Sequence, residues 1–473
     1  MRRLFVLCVL VSIALTACSS AKDRSNGEIA ETVVPTHDKP TRTPVASVTP
    51  HMEASIENEI PDDLSEGIEI QFWHPWSGEA AGAVDGLVAN FNETNPWGIM
   101  VFTSSKANTD FLVESVVGIK EREELPALIA APGAFLRAWY EENGGQIDLE
   151  AYIKHPQWGL TEEEILSFPL IFWNQDVDVE GRFGVPAERS INVIFYNQTW
   201  AQELGFATPP ITPDDFLNQA CAAARGNAFD DNFENNGTGG WIFNTEPMTV
   251  LSWLRVFGGG ELPKEEGQNY LFLNDNNEDA FEFLHTIYHI DCAWIGRKST
   301  PYSYFAKRQA LFFSGDSRDI LIQEQMDEIE GNQDEWTMLP YPSISEKPTI
   351  LVESLSYGVF PSDAEHQLAA WLFIRWMLSS QNQAVLIRTT GTLPITITAL
   401  DELVDFRKGH SSWDEALQFI PLAQPEPVLF SWQVVGHILQ DASWQLKQFN
   451  VYLEGIPDIL AQIESTAREV LSE

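Results

Sequence analysis

The sequence has 473 residues, more than one ordinary hydrophobic core accommodates and enough for two or three domains. Lys and Arg number 28 against 69 Asp and Glu, a formal charge of −41 that excludes a general nucleic-acid binder and a basic surface for anionic lipid. A hydrophobic share of 44% is that of a folded protein, and sixteen Trp exceed what a plain soluble enzyme needs.

Met1, Arg2 and Arg3 form a positive start, and Leu4 to Leu15 is an apolar run. At about twelve residues that run is too short to span a bilayer and fits a signal sequence. Leu15-Thr16-Ala17-Cys18 resembles the bacterial lipobox, which implies cleavage after residue 17, lipid on the Cys18 thiol, and attachment to a membrane by that lipid alone. Residues 18–66 are rich in Ser, Thr, Pro and charge, with too little apolar surface to fold, and read as a disordered tether. Its roughly 48 residues would reach about 160 Å fully extended.

The ordered pattern begins at Ile68-Glu69-Ile70-Gln71-Phe72-Trp73, an alternating strand, followed by an amphipathic helix from Ala81 to Asn92. Pro126 to Ala131 and Ile191 to Tyr196 read as buried strands. Thr212-Pro213-Asp214-Asp215 supplies a hydroxyl cap, a first-turn proline and two acids to a helix from Phe216 to Ala224. Ser362-Asp363-Ala364-Glu365 reads as a capping box opening one long helix to about Arg388, with Leu368, Trp371, Leu372, Trp376 and Leu386 on its buried face and Gly391 as its stop. Strands alternating with helices indicate an α/β protein with mostly parallel sheets, whose ligands lie beyond the carboxyl ends of strands.

Several chemistries can be weighed on spacing. Asp230 to Gly240 is acidic and Asn-rich, but an EF-hand needs Gly where Asn235 stands and Glu where Trp241 stands, so a polar loop is favoured over calcium. His285 and His289 are one helical turn apart, yet the intervening Glu of a zinc protease is missing and no third ligand is evident; they read as surface imidazoles. There is no phosphate-binding loop, dinucleotide fingerprint or nucleophile elbow. A glycosidase carboxylate pair stays open, because its members need not be near in sequence. Cys221 and Cys292 are the two body cysteines of an exported chain and are expected to pair.

Six segments, taken in order, resemble the family 1 extracellular solute-binding proteins of ABC transporters, the group containing maltose-binding protein. Ile70-Gln71-Phe72-Trp73-His74 with Phe91-Asn92-Glu93-Thr94-Asn95-Pro96 is similar to the first strand, helix and turn. Gly184-Val185-Pro186 and Val193-Ile194-Phe195-Tyr196-Asn197 resemble the crossing segment, and Thr212 to Phe216 a helix start. Phe257-Gly258-Gly259-Gly260, Phe305 to Phe313, and Thr390-Gly391-Thr392-Leu393-Pro394 resemble later blocks.

The resemblance covers about residues 67 to 470. It implies a two-lobed periplasmic-binding-protein-like fold with a ligand cleft, lobe 1 being 67–183 plus 342–392 and lobe 2 being 184–341 plus 393–473. It further implies a monomer without cofactor or catalysis, exported to the outer face of the cell membrane, that binds a carbohydrate and delivers it to permease subunits. Sugar rings stack on aromatic faces and their hydroxyls need polar partners. The expected ligand contacts are therefore Trp76 and Ser77 after the first strand, Gly133 after the third, Glu246, Asp316, and the aromatic rings Trp241, Trp253 and Trp432. Met248 stands where the family carries an aromatic contact, which leaves that stacking role open. The alternatives are a non-sugar polar solute such as glycerol 3-phosphate, opposed by the scarcity of Lys and Arg near these loops, a secreted glycoside hydrolase, and a receptor-type sensor.

Overall fold

A computed structural model describes residues 59–119, 125–141, 145–177, 181–344 and 348–472. The signal sequence, the lipobox Cys18 and the tether up to residue 58 lie outside the described residues. The expectation of a tether up to residue 66 needs correction at its end. Ile60 and Leu64 pack against the core that includes Phe72, Phe91 and Trp371, and the Trp158 indole Nε1 donates to the Pro61 carbonyl at 2.8 Å. The Ser65 hydroxyl donates to Glu365 at 2.6 Å. Prolines exclude helix and strand here, but not an irregular segment lying on a folded surface.

Among the described residues, ten strands form one mixed sheet: β1 (Glu69–His74), β2 (Met100–Ser105), β3 (Leu128–Ala131), β4 (Val185–Asn197), β5 (Gly239–Ile242), β6 (Ala293–Trp294), β7 (Ala310–Asp316), β8 (Trp336–Leu339), β9 (Leu351–Val359) and β10 (Gln424–Pro425). Their order is β2-β1-β3-β9-β4-β7-β5-β6, with β10 beside β9 and β8 beside β4. The two ends are parallel, β2-β1-β3 at one and β7-β5-β6 at the other. The middle is antiparallel, and this corrects the expectation of mostly parallel sheets: β3-β9, β9-β4 and β4-β7 all run opposite. A chain that passes from one α/β unit to another and returns brings its outgoing and incoming strands side by side in opposite directions.

Strand β4 is that passage. All thirteen of its residues are buried, and it is long enough to serve two cores. Val185 and Ala187 belong to the core of Phe72, Phe91, Tyr357 and Trp371, whereas Ile194 and Tyr196 belong to that of Phe216, Trp241, Trp253 and Phe312. A third cluster, around Phe172, Val193, Phe313 and Trp413, lies under the middle of the sheet.

Local signals are honoured closely. The helix Pro213–Phe229 opens with a capping box of Thr212 and Asp215. The expected long helix after Ser362 is in fact two, Ala364–Met377 and Ser380–Thr390, with the break at Leu378 and Ser379. Asp363, not Ser362, is the cap, accepting from the backbone of Glu365 and His366 at 3.1 Å each. Gly391 stops the second helix at φ 72°, a conformation other residues avoid. Cys221 and Cys292 form a disulfide, their Cα atoms 4.4 Å apart, that fastens the helix Pro213–Phe229 to the start of β6.

Candidate functional site

Loops at the carboxyl ends of β1 and β7, the crossing strands β4 and β9, and the segment returning after β10 converge on a hollow between the first and second cores. It has two connected parts of about 790 and 560 Å³, which share Glu246, Pro247, Met248, Arg318 and Glu353 as walls.

Trp76 enters from the loop after β1. Its ring is held edge-on against Phe72 at 6.3 Å, and its indole Nε1 donates to Glu188 Oε2 at 2.5 Å. Glu188 reaches this position because β4 carries a bulge between Pro186 and Glu188, where an extra residue shifts the register against β9. Ser77 precedes the helix Gly78–Thr94 with an extended backbone but makes no capping hydrogen bond with its side chain, so its hydroxyl is available to the hollow it lines. Below Trp76, His74 is fully buried, and desolvation pushes its pKa down to about 4, which keeps the imidazole neutral.

The centre of the floor is Arg318. Its guanidinium donates to Asp316 at 2.8 Å and to Glu353 at 2.6 Å, and lies 3.7 Å from Glu188. Three carboxylates from three strands are thus gathered on one cation. Burial raises the pKa of Glu188 and of Glu353, opposed in both cases by Arg318. Glu426, from the returning segment, accepts from the Ser354 hydroxyl, and burial pushes its pKa up to about 8, with Glu353 adding to the rise. Beneath the floor Arg189 and Asp176 form a fully buried ion pair at 2.8 Å, and the Ser356 hydroxyl also donates to Asp176.

Of the residues expected from sequence, Trp76, Ser77, Glu246 and Trp432 line the larger part of the hollow, and Glu246 and Asp316 the smaller. Gly133 lies under the wall: a Cβ there would sit 3.3 Å from the Asp176 carboxylate, so it serves close packing. Trp241 and Trp253 are corrections. Both are fully buried in the second core, 5.7 Å apart and each against Phe216, and neither presents a face to the hollow. Successive side chains of β5 point to opposite faces of the sheet, and Trp241 falls on the face packed by Phe216 and Trp253. Met248 lines both parts, so no aromatic ring takes the stacking place left open there.

Sequence reasoning missed Glu188, Arg318, Glu353 and Glu426. Only Arg318 carried a signal, standing two residues after Asp316 at the end of a strand. The expected scarcity of cations near these loops is therefore corrected, although three carboxylates surround this one. His285 and His289 are not free surface imidazoles either: each ring bonds a backbone carbonyl, of Val451 at 3.1 Å and Leu446 at 2.9 Å. In the loop after Asp230 that residue's carboxylate accepts from the Asn232 backbone and from the Asn235 amide, both at 2.8 Å.

Known proteins can be set beside this geometry. No curated protein matches the sequence significantly. Among solved structures, the sugar-binding protein MalE of Xanthomonas citri superposes with a TM-score of 0.69 at 16% identity, covering 85% of this chain and 97% of that one. The maltose/maltodextrin-binding domain MalE of Bdellovibrio bacteriovorus, bound to maltotriose, gives 0.66 at 18% identity, covering 86% and 100%. UgpB of Mycobacterium tuberculosis, in complex with glycerophosphocholine, gives 0.68 at 14% identity, covering 86% and 99%. These likenesses establish the two-lobed fold. The sequence profile of the bacterial extracellular solute-binding proteins matches residues 86–409, well over half of the chain, and the chain belongs to that family.

Proposed function

We propose that this protein is the binding component of an ABC importer, which closes two lobes on a sugar or oligosaccharide and hands it to permease subunits. The lobes are residues 67–183 plus 342–392 and 184–341 plus 393–473. The protein works as a monomer, performs no catalysis itself, and is held to the outer face of the cell membrane by lipid on Cys18. Closure is driven by ligand because the closed form adds contacts from the second lobe.

The observation that carries this reading is the cleft. Trp76 from one side and Trp432 from the other line the same hollow as a floor of hydrogen-bonding carboxylates and the Ser77 hydroxyl. Aromatic rings for C–H faces and planar acceptors for hydroxyls are what a sugar requires. Maltotriose in one relative of the same fold supports the choice. A phosphorylated solute is disfavoured, since the one guanidinium on the floor is already taken by Asp316 and Glu353.

The test is a thermal-shift screen of mono- and oligosaccharides beside glycerol 3-phosphate and glycerophosphocholine. A ligand at 100 times its Kd adds about 2.7 kcal/mol of stability, a readily visible shift. A response to a non-sugar solute alone would reject the sugar reading. Release of cleaved sugars during incubation with oligosaccharides would reject the non-catalytic one.

A further inference from the structure

Two features of the cleft are left over by a neutral sugar. The first is charge. Seven carboxylates line its two parts, from Asp110, Glu188, Glu246, Asp316, Asp319, Glu353 and Glu426, against the cations Lys298 and Arg318 and the imidazole of His437. Arg318 is shared by Glu188, Asp316 and Glu353, and Asp319 takes a hydroxyl donor from Tyr302 at 2.6 Å. Glu246, Glu353 and Glu426 act on one another electrostatically, Glu246 raising the pKa of Glu353 and Glu353 that of Glu426. Glu353 is already paired with Arg318 at 2.6 Å, whereas Glu246 and Glu426 have no cation partner among the described residues. The second feature is an unmet donor. Trp432 is only 5% exposed, lines the same part of the cleft, and its indole N–H has no partner among the described residues.

A surplus of acceptors and a free N–H lining one cavity ask for different things of one ligand. The acceptors call for a positive charge bearing hydrogens, and the indole for an oxygen. We propose that the solute is a saccharide carrying a protonated amine, its ammonium held by Glu246, Glu353 and Glu426 and a hydroxyl or ring oxygen accepting from Trp432. The assignment rests on the saccharide reading of the cleft and narrows it. A buried carboxyl with a raised pKa is suited to such a guest, because an arriving ammonium favours its ionised form.

Matched ligands test this by calorimetry at pH 7 in low salt: glucosamine, galactosamine and chitobiose, each beside its neutral parent sugar and its N-acetylated form. The expected result is that an amine binds at least about tenfold more tightly than both counterparts, the preference shrinking as salt screens it. Glu353→Gln and Glu426→Gln should each lower the amine's affinity at least about tenfold more than the neutral parent's, erasing most of the preference; an equal loss for both ligands would overturn the assignment. A neutral or N-acetylated sugar binding as tightly as its amine would overturn the amine assignment and leave the saccharide reading standing. Binding of choline or glycerophosphocholine with no response to any sugar would overturn both.

Discussion

Removing the disulfide is a demanding test of how the second lobe is stabilised. Cys221 and Cys292 close a loop of 71 residues and are both buried. If the cross-link acts by restricting the unfolded chain, a loop of this length contributes about 4 kcal/mol at 25 °C. The described residues between 59 and 472 form the folded body, so roughly 400 residues unfold with an entropy on the order of 0.9 kcal/mol/K near the midpoint. The double variant Cys221→Ala/Cys292→Ala should therefore melt about 5 °C lower by scanning calorimetry. Denaturant titration adds a second reading. Freed from the cross-link, the unfolded chain exposes more surface, so the m-value should rise. A Tm change below about 1 °C would refute the loop-entropy reasoning. A full drop with an unchanged m-value would move the effect to packing in the folded state.

The remaining predictions separate cleft from core. Trp432→Ala should weaken ligand binding by about 1–3 kcal/mol, read by calorimetry, and leave a cooperative unfolding transition. Trp241→Ala should instead cost about 3–5 kcal/mol of stability by chemical denaturation, with the affinity of the folded fraction unchanged, because that ring lies wholly in the second core. Glu426 has a pKa of about 8 in the fold against an ordinary value of 4.5, so the folded state holds an extra proton between those limits. Stability from this group is full below about pH 4.5 and lost as pH rises through 8; Glu426→Gln should flatten that decline in Tm between pH 5 and 8.5. Asp176→Asn leaves Arg189 charged and fully buried, and should destabilise by about 3–5 kcal/mol in a urea titration, whatever the ligand.

Local chemistry was legible wherever a signal is short in sequence. The Thr212 cap, the Gly391 stop and the strand expected from Ile68 stand where the residues put them, and the strand expected from Ile191 to Tyr196 lies within β4, which begins six residues earlier at Val185. The long helix after Ser362 was misjudged because the apolar stripe continues across Leu378, while the backbone turns there and starts again. Trp241 and Trp253 were misjudged for another reason. An aromatic residue near a cleft loop and one in the core beneath it look alike in sequence, and side-chain direction is decided by the strand or helix that carries it.

The sequence by itself determined the class of protein. An acidic exported chain, its order of strand and helix signals, two cysteines able to pair and six family segments are all properties of neighbouring residues or of composition. Tertiary structure alone decided the cleft floor. Glu188, Arg318, Glu353 and Glu426 come from residues up to 238 positions apart, and a one-residue bulge in β4 aims the first of them at Trp76. Charge pairing at 3 Å depends on which strands become neighbours, and that is settled only when a chain that crosses between lobes returns antiparallel to itself.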